Sequence, residues 1–293
     1  MTEAIRTPDR LLEGLPDYPF APHYRKVDGL RLAHVDEGDG APVVMWHGEP
    51  TWSYLWRTVL PPIRDAGHRV VLPDLVGFGR SDKPVDLDWY SYDRHCAMAG
   101  TLLEDLDLWG ATFVVHDWGG PIGLRVAMEH PDRVDRIVLM DTGLWTGSQR
   151  MSDAWHAFAR FVRRTEDLPI GFLVRGACKT DPGDAVIAAY DAPFVDTAAK
   201  AGARAFPQLI PQTPDAPGAA EGRAVLEWLG ADRTRPKLTL WADSDPVLPL
   251  ETGRRFAERI GAGDVEVIPD ASHFLQEDQG RMIGERIADW LAS

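Results

Sequence analysis

Phe113-Val114-Val115-His116-Asp117-Trp118-Gly119-Gly120 is an apolar run that stops abruptly at a polar turn. Pro121-Ile122-Gly123-Leu124-Arg125-Val126-Ala127, helical in texture, follows at once. Strand, sharp turn and helix form the setting of a nucleophile elbow, in which a strained turn lifts one side chain above a sheet edge. Serine is the usual occupant. Here the central residue is Asp117, with Trp118 beside it. A carboxylate suits displacement at an alkyl carbon better than simple ester cleavage. The plain alternative is an aspartate that only caps the following helix, since Asp is a favoured N-cap.

On either side of this stretch, short continuous apolar runs recur at Pro42–Trp46, 70–72, 136–140, 237–241 and 265–268, and residues 30–35 alternate. Continuous apolar runs mark strands buried on both faces. Helices are expected over 51–66, 94–108, Gly119–Glu129, 251–260 and 279–291. Strands alternating with helices predict an α/β fold, a mostly parallel sheet flanked by helices. The alternation breaks from about Gly143 to Leu229, a stretch rich in Ala and Pro without a convincing core strand. The expected organisation is a core domain made of residues 1–142 and 230–293. A helical cap, residues 143–229, would be inserted above the strand C-termini, where open α/β sheets bind ligands.

The 293 residues, 44% hydrophobic and 26% charged, suffice for one large domain with an insertion. A net charge of −14 repels nucleic acid and anionic membranes, so neither is an expected partner. Cys96 and Cys178 cannot frame a chain of this size with disulfides and lack metal-site spacing. No basic-then-apolar leader opens the chain, and no apolar stretch is long enough to span a bilayer. A cytoplasmic protein is expected, as a monomer or weak oligomer.

His273, in Asp270-Ala271-Ser272-His273-Phe274, is the one histidine of nine that falls both late in the chain and after a strand. In a parallel sheet of this kind its loop lies close to the elbow. The order Asp117, Asp245, His273 is nucleophile, acid, base, as in α/β-hydrolases. Asp245 follows the penultimate strand in Trp241-Ala242-Asp243-Ser244-Asp245-Pro246 and is the preferred acid. Asp141, after the run 136–140, is its rival, because that strand end also approaches the histidine. His47-Gly48-Glu49-Pro50 follows Pro42–Trp46 and can offer the Glu49 backbone N–H to an oxyanion hole, with Trp118 giving the second.

Taken together, these residues resemble a haloalkane dehalogenase of the α/β-hydrolase superfamily. The matching blocks are His47-Gly-Glu-Pro-Thr-Trp-Ser-Tyr54, Asp74-Leu-Val-Gly-Phe-Gly-Arg-Ser-Asp-Lys-Pro84, His116-Asp-Trp-Gly-Gly120, Ala189-Tyr-Asp-Ala-Pro-Phe194 and Ser272-His-Phe-Leu-Gln-Glu277. The resemblance implies an α/β-hydrolase fold with an inserted helical cap. It also implies Asp117 as nucleophile, His273 as base, Asp245 as acid and Trp118 as one of two halide-binding residues. One branch of the family places an Asn where this chain has Glu49, and an ionised Glu accepts but cannot donate. The branch that shares His-Gly-Glu-Pro uses a cap tryptophan, which points to Trp155, with Trp145 as the alternative; among 11 tryptophans, an ordinary core aromatic is the plain reading of either. A small apolar halogenated substrate, a halide product and no metal or organic cofactor follow. Phe158, Phe161, Val162, Phe172 and Leu173 are candidate walls for the substrate.

An epoxide hydrolase shares the Asp elbow and the His but needs acid help at the epoxide oxygen, usually from two cap tyrosines; residues 143–229 hold Tyr190 alone. A fluoroacetate-type enzyme would be expected to carry an arginine where Trp118 stands. No Gly-x-Ser-x-Gly occurs, which counts against a serine esterase.

Overall fold

The computed structural model describes residues 2–293. Ten strands are present: β1 (Ala4–Ile5), β2 (Pro22–Val27), β3 (Leu30–Glu37), β4 (Pro42–Trp46), β5 (Arg69–Pro73), β6 (Lys83–Pro84), β7 (Ala111–His116), β8 (Val134–Met140), β9 (Lys237–Ala242) and β10 (Glu266–Ile268). Eight of them form one sheet in the order β10-β9-β8-β7-β4-β5-β3-β2, and β1 pairs with β6 separately. The pairings from β10 to β5 are parallel. Those of β3 with β5 and of β2 with β3 are antiparallel.

Every residue of β7 is buried, and its apolar stretch Phe113-Val114-Val115 suits a strand covered on both faces. The edge strand β2, Pro-His-Tyr-Arg-Lys-Val, buries only Val27. Its charged side chains suit a sheet edge and discourage edge-to-edge pairing, and the same polarity hides it in the sequence.

Ten α-helices complete the fold: α1 (Leu60–Asp65), α2 (Tyr92–Asp105), α3 (Gly119–Glu129), α4 (Asp153–Arg164), α5 (Ile170–Gly176), α6 (Asp184–Asp191), α7 (Ala201–Ala205), α8 (Ala219–Ala231), α9 (Leu250–Ile260) and α10 (Leu275–Leu291). The helix expected over 51–66 is broken. A 3₁₀ turn, Ser53–Trp56, precedes α1, which starts only where Pro61 and Pro62 occupy its first turn. Proline is tolerated there because the missing N–H has no intrahelical partner anyway.

Helix α1 packs on α10, while α2, α3, α8 and α9 pack in series. Between β8 and β9 the chain forms α4 to α8 and no strand. The last of these, α8, lies against α3 and α9 and so continues the helix layer of the sheet. The loops after β4, β7, β8, β9 and β10 all leave the same end of the parallel sheet. That is the end at which open α/β sheets assemble sites from residues far apart in sequence. Among the described residues no helix is long and apolar enough to cross a membrane.

Candidate active site

Asp117 directly follows β7 with φ of 48°, in the left-handed region that Asp tolerates better than most side chains. Its own backbone is pinned there. Its N–H donates to Asp141 O at 3.2 Å, while its carbonyl accepts from the Thr142 hydroxyl at 2.7 Å and from Gly120 N–H at 2.9 Å. Two glycines let this turn close. A Cβ on Gly48 would stand 2.1 Å from Asp117 Oδ1, and one on Gly119 would stand 2.1 Å from Trp46 O. No side chain fits at either distance.

The two carboxylate oxygens of Asp117 have different surroundings. Oδ1 accepts the Glu49 backbone N–H at 2.8 Å. Oδ2 faces His273 Nε2 at 3.7 Å. Burial raises Asp117 above the ordinary carboxylate value, and His273 with the backbone N–H groups of Trp118 and Glu49 partly offsets this. On the other side of the imidazole, His273 Nδ1–H donates to Asp245 Oδ2 at 2.8 Å. The second oxygen of Asp245 accepts from Val247 N–H at 2.7 Å and Leu248 N–H at 3.0 Å. Burial works against the Asp245 charge, but the imidazole and these N–H donors outweigh it and hold the carboxyl below its usual value. Burial likewise opposes the imidazolium of His273, and Asp245 and Asp117 outweigh it, so His273 titrates above its usual value.

Asp141 also reaches this cluster, as the position of its strand end suggested. One oxygen accepts the Ala242 N–H at 3.0 Å; the other is buried with no partner. Burial and the adjacent Asp245 charge push it well above the ordinary range. The imidazole N–H goes to Asp245, which leaves Asp141 beside the pair without a share in that bond. Polar atoms of Asp141, Asp245 and His273 lie within 4.8 Å of one another. Because His273 Nδ1 and Asp245 are bound to each other, the set is a hydrogen-bonded cluster rather than a group of free metal donors.

His116 is a part of the site that sequence reasoning missed. Its Nε2–H donates to the His273 backbone carbonyl at 2.8 Å, which ties the histidine loop to the strand that carries Asp117. Burial holds its pKa down to about 3, so the ring stays neutral. Nothing local in the sequence signals a partner 157 residues away.

A cavity of about 120 Å³ opens beside Asp117. Glu49, Asp117 and His273 are the titratable residues in its lining among the described residues, and the walls are apolar. Trp118 and Trp145 enter from the strand side, and Trp155, Phe158 and Leu173 from α4 and α5. Trp155 sits in the first turn of α4, where the Ser152 hydroxyl caps its N–H at 3.1 Å and itself donates to Val247 O at 3.0 Å. Phe158, three residues on, shares that helix face. Two of the expected wall residues turn away: Phe161 and Phe172 are 39% and 68% exposed. Val162 is buried outside the lining. Tyr190 is also outside the cavity, its hydroxyl held by Glu277, which takes both Arg57 terminal nitrogens at 2.5 and 2.7 Å.

Residues 41–279 match the family described as the alpha/beta hydrolase fold. A haloalkane dehalogenase of Mycobacterium marinum is 44% identical over 98% of this chain and 99% of that protein. One of Psychrobacter cryohalolentis is 41% identical over 98% and 97%. The chain belongs to the haloalkane dehalogenases. Among solved structures, the tetrameric haloalkane dehalogenase of Paraglaciecola agarilytica NO2 superimposes with a TM-score of 0.90 at 33% identity, covering 97% of both chains.

Within this dehalogenase the surroundings of Glu49 bear on one step of the sequence reading. An ionised Glu49 was the reason for excluding it as a donor. The side chain is buried, 6% exposed, with Oε1 unpartnered. Burial, and then the charge of Asp117, push it well above the ordinary carboxylate range. Both causes favour the neutral acid, and a neutral acid carries an O–H donor. Trp145 differs from Trp155 in a relevant way: its indole Nε1 is sealed in the protein with no partner, although its ring lines the cavity.

Proposed function

We propose that this dehalogenase hydrolyses small apolar haloalkanes to alcohol, halide and a proton through a covalent ester on Asp117. One observation carries the reading: Asp117 lines an apolar cavity, with Oδ1 engaged by backbone, Oδ2 facing His273, and Asp245 lined up behind the imidazole. An ionised carboxylate needs no base to attack the halogen-bearing carbon. Oδ2 forms the C–O bond while the carbon–halogen bond breaks, and the halide departs with the bonding pair.

The halide develops where Trp118 and Trp155 line the cavity. Each indole N–H would be worth roughly 1.5–3 kcal/mol as a charge-assisted hydrogen bond. Trp155 is preferred to Trp145 because the Trp145 N–H has no access to the cavity. Water then attacks the ester carbonyl carbon, His273 Nε2 takes its proton, and Asp245 stabilises the imidazolium. The former Oδ1 carries the oxyanion, held by the Glu49 and Trp118 backbone N–H groups; losing one such donor costs about 3 kcal/mol. Residues Trp118 to Gly120 thus combine an oxyanion donor, a halide donor and the close approach of Gly119 to Trp46.

Helices α4 to α7 are taken as the cap that closes this cavity, with α8 returning to the core layer. Epoxide opening is disfavoured because no tyrosine lines the cavity among the described residues. The decisive assay is product analysis with chloroalkanes, bromoalkanes and a matched epoxide. Halide and alcohol from the haloalkanes are expected. Diol from the epoxide without halide from any haloalkane would overturn the reading.

A further inference from the structure

We propose that Glu49 works as a neutral carboxylic acid in the turning-over enzyme and so leaves Asp117 the single anion facing the cavity. The backbone N–H of Glu49 sits on Asp117 Oδ1 at 2.8 Å, which holds the two carboxyl groups in one small apolar space. Their support is unequal. Asp117 is stabilised as an anion by two backbone N–H groups and His273, and Asp245 by two backbone N–H groups and the imidazole N–H. Glu49 is 6% exposed, and its Oε1 has no partner.

The surrounding charges do not supply a counter-ion. No Lys or Arg lines the cavity among the described residues. His47, on the same loop, accepts Leu75 N–H with Nε2 at 2.9 Å and donates Nδ1–H to Gly48 O at 2.8 Å, so both its nitrogens are engaged. The remaining carboxyls, Asp141 and Asp245, cluster beyond His273 and supply no positive charge. A buried carboxylate with neither donor nor cation is so costly that the group takes a proton instead. Burial and the Asp117 charge raise Glu49 accordingly.

Both chemical steps put new negative charge into this space, first on the halide and then on the oxyanion. Ionised Glu49 would oppose both, so its deprotonation shuts the site from the alkaline side. This rests on Asp117 being the nucleophile, and the two ideas can fail separately.

The test compares the pH profile of kcat/KM for halide release in the wild type and in Glu49→Gln, which is nearly isosteric and cannot ionise. The wild type is expected to fall about tenfold per pH unit beyond an alkaline inflection, while Glu49→Gln keeps its plateau. Superimposable alkaline limbs would overturn the proposal. A measurement without turnover needs no variant: quenching of tryptophan fluorescence by bromide in the wild type. Bromide affinity should weaken through the same inflection, and constant affinity up to the pH of unfolding would equally overturn the proposal. An alkyl adduct on Asp117 in His273→Ala, found together with coincident alkaline limbs, would remove the role of Glu49 and leave the nucleophile standing.

Discussion

His273 Nε2 lies 3.7 Å from Asp117 Oδ2, while His273 Nδ1 holds Asp245 Oδ2 at 2.8 Å. The first distance is beyond a hydrogen bond and the second is well within one. The imidazole is thus fixed from behind and unattached in front. Asp117 Oδ2 stays free to meet a carbon atom, and Nε2 stays free to meet a water.

Two carboxyls border the imidazole, and they should behave differently when neutralised. Asp245→Asn removes the anion that orients and stabilises the imidazolium, and steady-state turnover should fall by about 10³–10⁴. Asp141→Asn replaces an acid that burial and Asp245 push toward its neutral form, and turnover should stay within roughly tenfold of wild type. Steady-state kinetics of the two variants check this; equal losses would contradict the assignment of Asp245.

The pH dependence should separate the two half-reactions. His273 can act as a base only when neutral, and its pKa is raised because Asp245 and Asp117 outweigh the effect of burial. Asp117 carries no charge in the ester, so ester hydrolysis should decline as the pH falls through the pKa that Asp245 sustains for His273 against burial. Alkylation needs only ionised Asp117 and should persist to lower pH. Rapid quench at mildly acidic pH should then show the covalent ester accumulating in the wild type.

Trp155 and Trp145 can be told apart by halide binding. Trp155→Phe removes an N–H expected to face the halide and should raise the bromide dissociation constant roughly ten- to hundredfold. Trp145→Phe removes an N–H sealed from the cavity and should change it by less than about threefold. Fluorescence titration reads both.

The sheet was legible where strands are buried on both faces, because β4, β7, β8 and β9 each carry a short apolar stretch, such as Phe113-Val114-Val115 in β7 and Ile137-Val138-Leu139-Met140 in β8. Strand β2 was not, since five of its six side chains are not buried and carry no hydrophobic pattern. Asp117, Asp245 and His273 could be picked out because each follows a strand, and strand ends converge in a parallel sheet. The wall residues depended on helix rotation: Trp155 and Phe158 turn inward, while Phe161, on the same helix, does not. The burial that raises the pKa of Glu49 and the bond from His116 to the His273 carbonyl belong to the tertiary structure, which no local sequence feature encodes.

The account turns on Asp117 forming the covalent ester and His273 resolving it. The most direct measurement is the intact and peptide mass of His273→Ala after exposure to a bromoalkane, alongside the halide released. The expected result is one equivalent of bromide and one alkyl group on the peptide containing Asp117, with no further turnover. Bound substrate with an unmodified Asp117 peptide, or an alkyl group on another residue, would contradict it.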